Sequence, residues 1–199
     1  MPAMPGDPAP LNAVGDLVLS DARAMRALTD PLRLSLFDLV RREGPVESEA
    51  LAQRTDHDQA TVDDHLLELE SVGFVEKIVG EDGRVRWATE AKGIYLEIPD
   101  EPAGQLAARQ LSKLMMTKYA ELPGTWVGSE EPRLDLEWAR AAGLFNLRVK
   151  VTPDELRSIH EVLERLLEPF TTRSPTDAPP GVASVRILCF FMPEADRDT

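Results

Sequence analysis

Apolar residues recur at helical spacing over the first part of the chain, between residues that favour helix ends. The pattern predicts helices over 21–28, 31–43, 48–54 and 58–72. Asp30-Pro31 begins the second helix with a capping carboxylate and with proline at the first helical position. Gly73 ends the last helix, because glycine tolerates the left-handed conformation of a helix C-terminus. We therefore expect a small helical core in this part of the chain.

A β-hairpin is predicted directly after the last of these helices. Two runs with strand-like composition, 74–79 and 84–89, flank the turn residues Gly-Glu-Asp-Gly. Alternation along the second run places Arg84 and Arg86 on one face of the hairpin. Helix, turn, helix and two-stranded wing is the geometry of a nucleic-acid-binding unit, whose second helix enters the major groove.

The remainder of the chain predicts a long helix followed by a smaller unit. An amphipathic pattern over 103–122 indicates a helix suited to dimerisation. Strict alternation over 145–151, a helix after Thr152 and an apolar run over 185–192 predict a βαβ unit.

The chain thus divides into four parts. These are a flexible tail over 1–16, a winged helix-turn-helix domain over 17–98, the helix over 103–122 and an α/β module over 126–199. We expect the fold class to be mainly α with a small β content (α+β), a winged helix-turn-helix domain plus a C-terminal βαβ module.

Composition indicates a globular protein, with 43% hydrophobic and 29% charged residues. Its apolar runs are too short to cross a membrane, and its first residues lack the pattern of a secretory signal, so no membrane partner and a cytoplasmic location are expected. The single Cys189 agrees with a reducing compartment. The net charge of −13 weighs against a nucleic-acid-binding surface.

Three stretches resemble ArsR-like transcriptional regulators in detail. These are LTDPLR at 28–33, QATVDDHLLELESVGFV at 59–75 and GRVRW at 83–87. The second stretch is similar, without a gap, to the recognition helix of that family, and the resemblance extends over roughly residues 17–95. The C-terminal strand-helix-strand pattern resembles the α/β extension of actinobacterial members.

The resemblance implies a bacterial regulator that binds double-stranded DNA as a homodimer. The recognition helix 58–72 would lie in the major groove, and the wing 80–87 would lie on the backbone. Gln59, Thr61 and His65 are the polar residues expected to face base edges, and Arg84 and Arg86 are expected to contact the backbone. The full set of candidate DNA-binding residues is Gln59, Ala60, Thr61, Asp63, Asp64, His65, Arg84 and Arg86.

The charges of the recognition helix depart from the family pattern. Asp63 and Asp64 stand where the family usually has serine and a polar or basic residue, and residues 21–98 hold 10 basic and 17 acidic side chains. Carboxylates that face phosphate oppose binding. An alternative is therefore a degenerate winged helix that binds a protein partner or small effector instead of DNA, and the outward-facing Leu67 favours it.

The sequence contains none of the common catalytic motifs. No phosphate-binding, dinucleotide-binding or nucleophile-elbow motif occurs, so neither an enzyme nor a cofactor is expected. No metal site is expected either, because the chain has one cysteine and the helix over 103–122 has no histidine. Met115, Trp126 and Trp138 are candidates for an effector pocket, through which the C-terminal module would receive a small molecule or a protein.

Overall fold

A computed structural model describes residues 10–171, 173 and 178–194. The strands of the described part are β1 (Asp16–Leu19), β2 (Glu76–Val79), β3 (Val85–Ala88) and β4 (Gly93–Leu96). The α-helices of the described part are α1 (Ala22–Ala27), α2 (Pro31–Glu43), α3 (Ser48–Thr55), α4 (Gln59–Ser71), α5 (Pro102–Tyr119), α6 (Leu122–Thr125), α7 (Leu136–Ala141) and α8 (Pro153–Thr171). A π-helical turn, Trp126–Glu130, and a 3-10 turn, Glu131–Arg133, join α6 to α7. The α+β class is confirmed.

The core lies between α1, α2, α3, α4 and α5. The fully buried Phe37 of α2 and Phe74, which follows α4, meet with ring centroids 6.0 Å apart. Leu51 of α3 and Leu66 of α4 are also completely shielded from solvent. Complete burial of such side chains contributes roughly 1.5–3 kcal/mol each to the free energy of unfolding. This packing fixes the two helices of the helix-turn-helix unit on α2.

Two short parallel strands lie beside this core. β1 pairs with β4 in the register Leu17 to Ile94, a pairing that the sequence pattern did not predict. Residues 10–15 of the predicted tail form a turn before β1: the Asn12 side chain accepts hydrogen bonds from the Val14 and Asp16 amides, and Val14 is buried. An asparagine that closes a turn in this way holds its segment in place. Residues 1–9 of the predicted tail lie outside the described residues.

The predicted hairpin forms, and it is attached to the loop before α3. β2 and β3 pair antiparallel in the register Lys77 to Trp87. Val46 and Trp87 exchange backbone hydrogen bonds, 3.0 Å from the Val46 nitrogen and 2.8 Å from the Trp87 nitrogen. The buried Trp87 side chain closes the core beneath the hairpin. As a result the residues next to Val46 lie against the hairpin.

α5 packs along α1 through small residues. Ala107, Ala108 and Leu111 are buried, whereas Leu106 on the same helix is 54% exposed. A partly buried ion pair joins the end of α5 to α2, with Lys118 Nζ 2.8 Å from Asp38 Oδ2. α5 is therefore held to the helix-turn-helix unit by both packing and charge.

The predicted C-terminal βαβ unit is wrong in its two strands. The helix forms as α8, and Thr152 caps it while Glu155 accepts from the Thr152 amide in a reciprocal capping box. The described segments 142–152 and 182–194 contain no strand, and Phe145 is 87% exposed. Alternation makes a segment suitable for a sheet, but a strand forms only where a neighbouring strand satisfies its backbone groups. Residues 172, 174–177 and 195–199 of the predicted module lie outside the described part.

Candidate nucleic-acid interface

The first turn of α4 is closed by its own polar side chains. Asp58 accepts from the Thr61 amide at 2.9 Å and from the Thr61 hydroxyl at 2.7 Å. These hydrogen bonds lower the pKa of Asp58. Gln59 Nε2 donates to Ser48 Oγ at 3.2 Å and so ties α4 to α3. The Thr61 hydroxyl hydrogen is thus already used within the helix, while the exposed Gln59 lies at its end.

The outward face of α4 is acidic with one leucine. Ala60, Asp64 and Glu68 are exposed, and Leu67 between them is 45% exposed. They follow one another at the three- and four-residue spacing of one helix face. Asp63, beside this face, is partly buried. A phosphate that approached α4 from this side would meet the carboxylates of Asp64 and Glu68.

His65 lies nearer to the core than the sequence reading expected. It is partly buried, and its Nδ1 is 3.5 Å from Arg33 Nη1 of α2. Arg33 in turn donates from Nε to the Ala27 carbonyl at 2.6 Å. His65 is therefore positioned beside an arginine that ties α2 to the end of α1.

The two hairpin arginines are engaged by carboxylates. Arg86 donates from Nη1 to Asp82 Oδ1 at 2.9 Å and from Nη2 to Asp82 Oδ2 at 2.5 Å. Arg84 Nη1 lies 3.2 Å from Glu47 Oε1, to which Arg86 Nη2 also approaches at 3.4 Å. The hydrogen bonds from Arg86 lower the pKa of Asp82 to about 2. We call Glu47, Asp82, Arg84 and Arg86 the hairpin ion cluster.

Backbone geometry brings the hairpin ion cluster together. Gly83 has φ of +74°, and its amide donates to the Gly80 carbonyl at 2.9 Å, which turns Asp82 back toward β3. Gly80 has no side chain where the Arg86 guanidinium lies, and a β-carbon there would collide with Arg86 Nη1. The backbone hydrogen bonds between Val46 and Trp87 place Glu47 beside the same two arginines. Glu47 and Asp82 were not predicted as site residues, and only the short separation of Asp82 from Arg86 at the predicted turn was a usable signal.

Other cations of this unit are also paired. Arg54 of α3 forms an ion pair with Glu43, and Lys77 Nζ lies 3.2 Å from Glu70 Oε2 while its ammonium sits 4.7 Å from the Trp87 ring centroid. Such exposed pairs contribute little to stability, but they screen positive charge from an approaching anion. The surface around α4 therefore presents few free cations.

The three candidate effector-pocket residues lie in three different elements. Met115 packs against the core, Trp126 lies in the π-helical turn and Trp138 in α7. None of them lines the groove between α2 and the end of α5 or the smaller groove between α3 and the hairpin. Within the same residues no three His, Cys, Asp or Glu side chains cluster as metal ligands, and no helix has the length and apolar character needed to span a membrane.

A comparison with known protein families matches part of the chain that forms this geometry. Residues 28–78 match the family model described as a helix-turn-helix domain, which covers α2, α3, α4 and most of β2. No curated protein matches the chain. The chain therefore contains a helix-turn-helix domain, formed by the part of the molecule in which α3 and α4 pack on α2.

Proposed function

We propose that this protein is a DNA-binding transcriptional regulator of the ArsR-like winged type. The observation that carries the proposal is the helix-turn-helix match over 28–78, combined with an α4 whose first turn is solvent-exposed at Gln59 and Ala60. In such units the start of the second helix enters the major groove. The protein would act in the cytoplasm, without an enzymatic reaction or a cofactor.

The hairpin supplies the backbone contacts in this proposal. Arg84 and Arg86 would exchange Glu47 and Asp82 for DNA phosphates, because both lie on the hairpin and Arg84 lines a groove together with Ser48 of α3 and Gln59 of α4. Each exchange releases a counterion from DNA but leaves one protein carboxylate unpaired. Weak binding that depends on a favourable base sequence is the expected result. Gln59, Ala60, Asp63 and Asp64 are the α4 positions available for that sequence reading, with Thr61 and His65 behind them.

A homodimer would place two recognition helices on one operator. The exposed Leu106 and Met116 of α5 are apolar side chains available for such an interface. α8 adds Ile159, Val162, Leu166 and Phe170, all exposed, at spacings of three or four residues. Sedimentation equilibrium of the full chain, compared with the Leu106→Asp/Met116→Asp variant, measures the state directly.

Fluorescence anisotropy with a labelled duplex tests DNA binding. The probe is the promoter fragment upstream of the protein's own gene, with a shuffled duplex of equal length as the control. We expect tighter binding to the promoter fragment and a linear fall of log K with log salt. Equal, weak binding of both duplexes at low salt contradicts the proposal.

A second candidate function is recognition of a protein partner by the same α4 face. The observation that favours it is the combination of Asp64 and Glu68 with the exposed Leu67, which suits a basic, apolar partner surface better than phosphate. The variant Asp63→Ser/Asp64→Arg separates the two candidates. If the native protein does not bind the promoter duplex and this variant does, the protein-binding function is supported. If both bind the duplex and the variant only binds more tightly, the DNA-binding function is supported.

A further inference from the structure

A groove lies on the side of α2 that faces the end of α5. Its volume is about 770 Å³, within the rough range of 300–1,000 Å³ typical of small-molecule sites. α2 forms one wall, the turn before α4 contributes His57, and α5 contributes Lys118 and Tyr119. The groove is thus bounded by the helix-turn-helix unit and by the helix that follows it.

The groove is basic in an otherwise acidic protein. The chain carries a net charge of −13, but the charged side chains of the groove are four cations and two carboxylates. These cations are Arg42, Arg54, Lys118 and Arg186, of which Arg54 is paired with Glu43 and Lys118 with Asp38, and the carboxylates are Asp30 and Asp38. Both carboxylates have partners, since Asp30 accepts from the Arg33 amide at 2.9 Å and Asp38 lies 2.8 Å from Lys118 Nζ.

Two of the groove arginines differ from those of the hairpin. Arg42 donates only from Nε, to the Asp38 carbonyl at 3.2 Å, and no carboxylate of the described chain lies within ion-pair distance of Arg42 or Arg186. Both are nevertheless close enough to Tyr119 to act on its pKa, which burial raises and these arginines oppose. Their guanidinium groups are available to an anion in the groove.

The rest of the lining is apolar. Leu32 and Leu39 of α2 are half-buried against the core, and Leu122 and the ring of Tyr119 complete this surface. A ligand that satisfies both parts of the lining carries an anionic head and a flat or short apolar body. Inorganic phosphate lacks such a body, and a neutral hydrocarbon leaves the arginines without a partner.

We propose that this groove binds a small amphipathic organic anion, with the carboxylate or equivalent head at Arg42 and Arg186. The apolar body would lie on Leu32, Leu39 and Tyr119. Because Thr61 and His65 of α4 also line the groove, an occupant would contact the proposed recognition helix and α5 at once. Any effect on DNA rests on the proposed function, whereas binding in the groove does not.

Isothermal titration calorimetry of the full chain with 2-naphthoate tests the site, with the neutral isostere 2-naphthamide as the matched probe. We expect naphthoate to bind at least several-fold more tightly than naphthamide. Arg42→Gln should weaken naphthoate by about tenfold, as should Arg186→Gln, with naphthamide unchanged. Arg109→Gln, an exposed arginine of α5 outside the groove, is the control and should change nothing.

Nitrogen–proton correlation spectra locate the ligand, with the largest shifts expected at the Leu39 and Tyr119 amides. Equal binding of the two probes, absence of binding, or equal losses in Arg42→Gln and Arg109→Gln overturns the proposal. DNA phosphate is the other anion that Arg42 is able to bind in this position. If naphthoate fails to bind while Arg42→Gln weakens the promoter duplex, the groove is a DNA contact and the small-anion site is refuted. If naphthoate binds as expected and no duplex does, the proposed function alone fails.

Discussion

Arg86 and Asp82 form a two-point ion pair across the hairpin turn, with Nη1 2.9 Å from Oδ1 and Nη2 2.5 Å from Oδ2. The same guanidinium also approaches Glu47, which the Val46–Trp87 bridge places beside the hairpin. The cation expected to meet DNA backbone is therefore held by the protein itself. DNA binding at this hairpin therefore exchanges a protein carboxylate for a DNA phosphate. The affinity depends on how strong the ion pair was that the arginine loses.

Removal of the Asp82 charge should increase affinity for DNA. In Asp82→Asn the side-chain oxygen still accepts from the Arg84 amide, but Arg86 keeps only Glu47, 3.4 Å away, as an ionic partner and becomes more available to phosphate. We expect tighter binding of the promoter duplex and a log K versus log salt slope steeper by up to about 0.9 for each additional phosphate contact. Anisotropy titrations over a salt series measure both quantities.

Glu81→Gln is the matched control, because Glu81 is exposed in the same turn and is not part of the hairpin ion cluster. An equal gain in both variants would indicate a general charge effect. No gain in Asp82→Asn would show that Arg86 does not contact DNA.

The Arg86–Asp82 pair should persist into strong acid. Asp82 has its pKa lowered from 3.8 to about 2 by the hydrogen bonds from Arg86. A lowered folded-state pKa means that the contribution to stability is complete above the unfolded value of 3.8 and is lost as pH falls through about 2. A carboxyl-carbon NMR titration of Asp82 should show this midpoint. In Arg86→Gln the midpoint should return toward 3.8, and an unchanged midpoint would contradict the pairing.

Leu66 and Leu67 should differ sharply in what they contribute. Leu66 is completely buried between α4 and α2, so Leu66→Ala should lower the free energy of unfolding by about 2–5 kcal/mol. Leu67 is 45% exposed, and Leu67→Ala should change it by less than about 0.5 kcal/mol. Urea denaturation followed by circular dichroism measures both variants. Comparable losses would mean that Leu67 is covered in solution, as in a dimer or a bound partner.

Asp38 should be required for attachment of α5 to α2. It is 6% exposed and binds Lys118 Nζ at 2.8 Å and Arg41 Nη2 at 3.3 Å. Asp38→Ala would leave two cations unpaired at the edge of the core, and we expect a loss of about 1.5–3 kcal/mol in the free energy of unfolding. Hydrogen exchange should show faster exchange at the end of α5. Asp100→Ala, an exposed carboxylate before α5, is the control and should be close to neutral.

Local chemistry explains how well the helices could be predicted. Asp30 and Asp58 accept from backbone amides three residues later, as N-caps do, and Thr152 with Glu155 forms the capping box that their spacing indicates. These signals act within one helical turn, so they can be read without knowledge of the rest of the molecule. The helix-turn-helix unit, the hairpin and the α+β class all follow from signals of this kind.

Pairing between segments that are distant in the chain was harder to predict from the sequence. β4 is a four-residue strand whose partner β1 lies more than seventy residues earlier, and the alternating segment 145–151 forms no strand in the described chain. Alternation of apolar and polar residues predicts which faces a strand would have. Formation of the strand depends on a neighbouring strand that supplies backbone hydrogen bonds. The buried face of α5 shows the same dependence, since close approach to α1 selected Ala107 and Ala108 over the larger Leu106.

The positions of helix ends, the hairpin turn and the acidic character of α4 are encoded locally, because each depends on neighbouring residues or on the charge of single side chains. Which cations are free depends instead on the folded arrangement of the chain. It brought Glu47 and Asp82 to the hairpin arginines, and it left Arg42 and Arg186 in the groove beside α5 without a carboxylate partner among the described residues. Ion pairing depends on distances of a few ångströms between side chains far apart in sequence, and folding alone sets those distances.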